Sequence, residues 1–182
     1  MALTCKLNRN ILRTTSCGYS LLEINDIYIA NYDDIKTAKG EDTGGCESVT
    51  GVSATTSGAN FYHVVPAKNS TTFTDELVVL DNGVKYRTHT LTFSISNRYD
   101  GCMHIDFDNL SLGRFLVVVK TADGNYLMLG RLTALEASVA TLAGGGDSNG
   151  INITLTANVA ESALPLDDTA VEQVLELVPT ED

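Results

Sequence analysis

Residues 151–159 read INITLTANV, so that Ile151, Ile153, Leu155, Ala157 and Val159 alternate with Asn152, Thr154, Thr156 and Asn158. A period of two is what a pleated strand with one buried and one polar face requires. Residues 85–96, KYRTHTLTFSIS, repeat the pattern, with Leu91, Phe93 and Ile95 on one face and Thr88, Thr90, Thr92, Ser94 and Ser96 on the other. These two segments set the fold class as all-β.

Outward from them, the punctuation is that of hairpins. Asp81-Asn82-Gly83 separates the run 71–80 from 84–96, and Ala122-Asp123-Gly124 separates 114–121 from 125–130. Asn and Gly accept positive φ, so both sites predict tight turns. Phe61 to Val65 precedes Pro66, which disfavours a central strand there. Residues 19–32 predict one or two strands, residues 131–142 another, and residues 144–150 (GGGDSNG) a loop.

Three segments resist this pattern. Residues 33–60 are polar, small and glycine-rich, and read as a long surface extension with weak strand character around 47–56. Between Asn97 and Gly113, Ile105 and Phe107 fit a strand, while Met103, Phe107 and Leu110 fit a helix with Asp100 as its cap; a short internal helix is the preferred reading. After Pro165, Thr169 and Glu172 have capping-box spacing, and Val171, Val174, Leu175 and Val178 form an apolar stripe. A helix of about three turns needs a docking surface, on its own core or on a neighbour. The expected organisation is a β-sandwich or partly closed barrel over residues 1–166, with an acidic helical extension over 167–182.

Composition narrows the function. Apolar residues make up 43% of the 182-residue chain, enough for a core, and the absence of Trp leaves Val, Leu, Ile and Ala to fill it. Residues 100–182 hold thirteen acidic and three basic side chains, so the net charge of −11 resides mostly in the C-terminal half. Such a surface repels phosphate, which disfavours a DNA-gripping role but not a surface past which DNA slides. Residues 1–22 carry Lys6, Arg9 and Arg13 with no apolar h-region, which predicts no signal peptide, and the longest apolar run, 115–119, is far too short for a membrane span. Cys5, Cys17, Cys46 and Cys102 form no C-x-x-C pair, which argues for free thiols rather than a zinc site or disulfide scaffold.

No nucleotide-binding, hydrolase or metalloprotease motif is present. His104, Asp106 and Asp108 would share a face for metal binding or proton transfer only on a strand, and a hydrolase resting on Cys102, His104 and Asp106 is the weakest of the functional readings. His63 and His89 read as surface or internally satisfied histidines. Asp147 and Asn149 lack the spacing of a calcium loop. No cofactor and no catalytic residue is expected.

The order of these features resembles the small tail-tube proteins of phages and prophages. The similar stretches are GYSLLEINDIYIANYDD (18–34), KYRTHTLTFSIS (85–96), LGRFLVVVKTADGNYLMLGRLTALEASVAT (112–141) and GGGDSNGINITLTANVAESALPL (144–166). The resemblance implies a virion protein assembled in the host cytoplasm, six copies of which join their sheets into a ring. Its partners would be its own copies and other tail or connector proteins, with DNA passing through without adhering. On this view residues 33–60 reach a neighbouring copy, and Asp106, Asp108, Asp123 and Glu136 are candidate lumen-facing acids. The alternatives are a single-ring tail or head-to-tail adaptor, or a capsid-decorating or host-surface-binding β module using Tyr62, Tyr99 and Tyr126.

Overall fold

A computed structural model describes residues 23–41, 45–95, 102–145 and 150–179. Cys5, Cys17, Tyr99, Asp100, Asp147 and Asn149, about which the sequence raised expectations, lie outside the described residues. The elements run β1 (Ile24–Asn31), β2 (Ile35–Glu41), β3 (Glu47–Ala54), β4 (Phe61–Val64), β5 (Thr72–Val79), β6 (Lys85–Ile95), α1 (Met103–Leu112), β7 (Arg114–Thr121), β8 (Tyr126–Leu129), β9 (Leu135–Ala143), β10 (Gly150–Val159), β11 (Leu164–Pro165) and α2 (Asp168–Glu176). All-β with a short internal helix and a C-terminal helix is therefore the architecture.

Nine strands form one antiparallel sheet that turns a corner where Arg114 and Phe115 of β7 pair with Glu136 and Leu135 of β9. On one side of the corner lies a limb ordered β4-β1-β7-β8-β11, and on the other a limb ordered β9-β10-β6-β5. The limbs face each other across one apolar cluster. Ile27, Ile29, Val117, Val119 and Leu129 come from the first, and Leu91, Phe93, Ile151, Ile153 and Leu155 from the second. The alternation in 85–96 and 151–159 thus sets which side chains enter this core, and each full burial of a Leu or Ile contributes about 1.5–3 kcal/mol.

The run 115–119 has a different cause. Phe115, Val117 and Val119 enter the core between the limbs, while Leu116 and Val118 enter a second cluster behind the first limb. Its neighbour β1 divides likewise, with Ile27 and Ile29 on one side and Tyr28 and Ala30 on the other. A strand covered on both faces is apolar at every position, which explains why 115–119 carries no alternation.

The cover over that second face corrects the reading of residues 33–60 as an extension. Within them Ile35–Glu41 and Glu47–Ala54 pair as the antiparallel strands β2 and β3, and Ile35, Val49 and Val52 are buried. Glycine in this hairpin is a packing residue: a Cβ at Gly40 would overlap Cγ2 of Thr50. α2 docks beside the hairpin, on the chain's own core, through Ala170 and Val174. Gln173 accepts a hydrogen bond from the Val52 N–H at 2.7 Å, and a parallel bridge between Val49 and Leu166 joins β3 to the end of β11. The cap of α2 is also corrected: Asp167, not Thr169, accepts from the Ala170 N–H at 2.8 Å. Its side chain starts the helix two residues earlier than the capping-box spacing suggests.

α1 settles the contested segment as a helix. Met103, Phe107 and Leu110 pack against the core between the limbs, whereas Ile105 remains 49% exposed.

Candidate functional site

The candidate acids do not converge. Asp106 and Asp108 lie on α1, Asp123 on the exposed β7–β8 turn and Glu136 on β9. Because residues 102–112 are not a strand, His104, Asp106 and Asp108 do not share a face in the way metal binding needs. Cys102 stands at the N-cap of the same helix. Among the described residues no three His, Cys, Asp or Glu side chains form a metal-holding group, and no helix is long and apolar enough to cross a membrane. Asp106 and Asp108 do share one feature, a cleft of about 790 Å³ between β4 and α1 that both line, with Tyr62, Val64, Leu110 and Phe115 in its walls.

A more regular surface is the outer face of the four-stranded limb. Register sets Thr72, Thr92, Thr154 and the exposed Val139 side by side, then Thr74, Thr90, Thr156 and Glu136, then Glu76, Thr88 and Asn158, and on the other flank Ser94, Asn152 and Thr141. The hydroxyls and amides bond one another: Thr92 Oγ1 lies 3.1 Å from Thr154 Oγ1, Ser94 Oγ donates to Asn152 Oδ1 at 2.5 Å, and Thr88 Oγ1 donates to Asn158 Oδ1 at 3.0 Å. Pairs of this kind stabilise a sheet face without apolar cover. The charged side chains in these rows are Glu76 and Glu136, with no lysine or arginine. Arg114 borders the face at the corner, where its Nε lies 3.5 Å from Glu136 and its Nη1 lies 3.3 Å from Asp33. Of the four acids expected from sequence, Glu136 alone belongs to this surface; Glu76 was missed, although its place opposite Thr88 follows from the 81–83 hairpin.

Among the described residues, both borders of the limb carry unpaired backbone: β5 pairs with β6 alone, and beyond Glu136 the strand β9 pairs with β10 alone. Among the same residues β4, at the far side of the first limb, pairs with β1 alone. Unpaired strand edges are templates for further pairing unless something covers them.

Beneath β5 and β6 sits a set of buried charges that the sequence did not reveal. Arg87 Nε donates to Asp75 Oδ1 at 2.6 Å, and the Ala163 N–H donates to Asp75 Oδ2 at 2.9 Å. Arg131 grips Glu161 bidentately at 2.5 and 2.6 Å, both side chains being largely buried. His89, 1% exposed, accepts the Gly130 N–H on Nδ1 at 3.2 Å, while its Nε2 lies 3.5 Å from Asp75. Gly130 has φ +75°, and a Cβ there would press on Leu135, so glycine is what lets this turn present its N–H to the imidazole. One signal existed in the sequence: the alternation that sends Leu91 and Phe93 inward also sends Arg87 and His89 inward.

Burial lowers the His89 pKa, against the opposing pull of the Asp75 carboxylate. Burial pushes Asp75 up, but the Arg87 guanidinium and the Ala163 N–H outweigh it and the net shift is down. Both folded-state values are depressed, so both groups contribute stability at neutral pH that is lost on acidification. His89 acts first, as pH falls through and below its ordinary value of 6.5; Asp75 follows below 3.8. Urea unfolding is expected to show stability falling between pH 7.5 and 5, with a His89 share of at most about 1.4 kcal/mol per pH unit. His89→Asn, whose Oδ1 keeps an acceptor for Gly130, is expected to flatten that slope; an unchanged slope would assign the dependence elsewhere.

Comparison with family models, with curated proteins and with solved structures gives no match.

Proposed function

We propose that this chain is a virion building block of the tail-tube type, whose copies join sheet edges into a ring with the hydroxyl face of the β9-β10-β6-β5 limb lining a passage for DNA. The observation that carries the reading is the parity of that limb. Four antiparallel strands leave β5 and β9 running in opposite directions at its two borders. A rotation that maps one copy onto the next preserves strand direction, so β5 of one copy meets β9 of the following copy antiparallel, and the pattern continues around a closed ring.

The chemistry of the face supports the same reading. A wall past which DNA moves must offer no phosphate-neutralising cations, because each such contact adds counterion-release free energy and slows sliding. Hydroxyls and amides already bonded to one another, with Glu76 and Glu136 as the charges, meet that requirement. Six copies follow from the resemblance to tail-tube proteins. Glu136 and Glu76 then face the passage, while Asp106, Asp108 and Asp123 stand off it.

The test is covalent capture of the junction. Within one copy β5 and β9 are separated by three inter-strand gaps, about 14 Å, beyond the roughly 7 Å that a disulfide spans between Cα atoms. In a background with the four native cysteines changed to serine, Thr74→Cys combined with Val139→Cys or with Thr141→Cys is expected to give, on mild oxidation, a ladder of covalent multimers ending in a closed species. Electron microscopy of the same material is expected to show annuli or tubes of uniform width. Protein that stays monomeric at every concentration and yields no ladder defeats the proposal.

A further inference from the structure

A third strand edge lies away from the hydroxyl face. β4, the border of the first limb, is four residues long and among the described residues pairs with β1 alone. Register sets Tyr62 opposite Ile29 and Val64 opposite Ile27, so these two side chains point between the limbs, where α1 forms the other side of an open flank. The space between β4 and α1 is the cleft of about 790 Å³, floored by the buried Ile29, Phe115 and Ile151 and walled on the helix side by Leu110 and Leu112. Tyr62 is 51% and Leu112 85% exposed, so apolar surface stands in water on both walls. Asp106 and Asp108 give the lining negative charge; no described lysine or arginine lines it, and the imidazole of His63 is held by Asp26 at 2.8 Å. A strand edge beside an apolar, acidic trough suits an extended chain with apolar residues at alternate positions and positive charge.

We infer that the occupant of this cleft is the chain's own N-terminal segment, residues 3–11, added as a strand beside β4. These residues, LTCKLNRNI, lie outside the described ones. Extended, they carry Leu3, Cys5, Leu7, Arg9 and Ile11 on one face and Thr4, Lys6, Asn8 and Asn10 on the other. The first face matches the trough, with apolar side chains for its floor and a guanidinium for Asp106 and Asp108. Residues 1–22 hold Lys6, Arg9 and Arg13 and no acid, in a chain whose net charge is −11. The tether reaches as well. The described chain begins at Glu23, next to the start of β1, and β1 is the neighbour of β4. The outer side of β4 is two strand spacings from β1, about 10 Å, whereas residues 12–22 span up to about 36 Å. A tethered segment acts at an effective concentration in the millimolar range, which a second copy matches only in concentrated solution. Whether or not copies close into rings, β4 is covered in this way, and β5 and β9 remain the open borders.

The experiment uses the full chain with two cysteines: one in the segment, either Cys5 or Leu7→Cys, and one on β4, either Tyr62→Cys or Val64→Cys, the other native cysteines being changed to serine. At least one of the four pairs is expected to form a disulfide on mild oxidation, at a yield independent of protein concentration. In a mixture of isotopically light and heavy copies, the linked peptides are expected to be of one isotope only. Light-to-heavy linkage would seat the segment in another copy, and absence of linkage in all four pairs would leave the cleft without this occupant; either overturns the inference. A second measurement needs no added cysteine. Leu3→Asp with Leu7→Asp sets two carboxylates over the apolar floor beside Asp106 and Asp108, and the amides of 61–64 are expected to exchange at least about tenfold faster than in the parent, while those of 115–119 are unchanged. Equal exchange at 61–64 in parent and variant overturns the inference and leaves the edge pairing of β5 with β9 untouched.

Discussion

Thr92→Lys is expected to turn a non-adhesive particle into one that holds DNA. Thr92 sits mid-strand on β6, flanked by Thr72 and Thr154, at the centre of the hydroxyl face. In an assembled ring every copy contributes one new cation at the same height, and each phosphate neutralised steepens the salt dependence by about 0.9 in log K per log salt. Six such contacts change affinity by about a thousandfold or more between 50 and 200 mM salt. Assembled parent protein is expected to show no retention of short duplex DNA in filter binding, and the lysine variant retention that salt abolishes. Thr92→Gln, similar in length but uncharged, is the control and is expected to behave as the parent. If lysine at 92 leaves DNA retention at zero in particles of normal shape, the face does not line the passage.

Glu161→Ala is expected to give the largest loss of stability of any single substitution outside the apolar core. Glu161 accepts both arms of the Arg131 guanidinium, with the two side chains 13% and 15% exposed. The carboxylate also holds the Arg131 pKa above its ordinary value, chiefly through these hydrogen bonds. Alanine leaves a guanidinium in a largely buried site with the Glu47 carboxylate as a weaker counter-charge and no bidentate partner, and breaking such a pair from one side costs about 3–5 kcal/mol. Against a domain stability of about 5–15 kcal/mol this is a large fraction. Replacing both residues, Arg131→Met with Glu161→Leu, is expected to recover most of the loss, because the demand arises from the orphaned charge and not from absence of the pair. Chemical denaturation of the two variants separates these outcomes, and equal destabilisation by the single and the double change would place the effect in packing instead.

How much of this was readable beforehand differs by element. The strands around Leu91 and Leu155 were legible because each has one wet and one dry face, which period alone encodes. The turns at 81–83 and 122–124 were legible because positive φ restricts them to a few residue types, and Gly83 and Gly124 do adopt it. The β2–β3 hairpin showed only as weak strand character around 47–56, where β3 lies, because Ile35, Val49 and Val52 are too few and too widely spaced to raise a period, and Gly40, which makes close packing possible, reads locally as a breaker. α2 was seen but its cap misassigned: Asp167 and Thr169 are both competent caps, and only the path of the chain out of β11 selects between them. The ion pair of Arg131 with Glu161 could not be found by spacing, since it unites different elements, and that of Asp75 with Arg87, although within one hairpin, has no spacing that marks it out from the charges around it. The hydroxyl face lies between these extremes. Its threonines were plain and the 81–83 hairpin sets Glu76 opposite Thr88, but that Glu136 joins them depends on strand order, which one sequence does not encode locally.

The central pair β1 and β7 is enclosed on both sides, whereas β5 has β6 as its one strand partner among the described residues and is tied to the body through Asp75. Amide exchange should therefore be slowest through 27–30 and 115–119 and fastest through 72–84. The region with the most to gain from a companion is thus the one that opens most readily alone. A lone subunit would present that border as a frayed, shifting target, and become a good template only once a neighbour had steadied it, so growth from an existing seed would outrun spontaneous initiation.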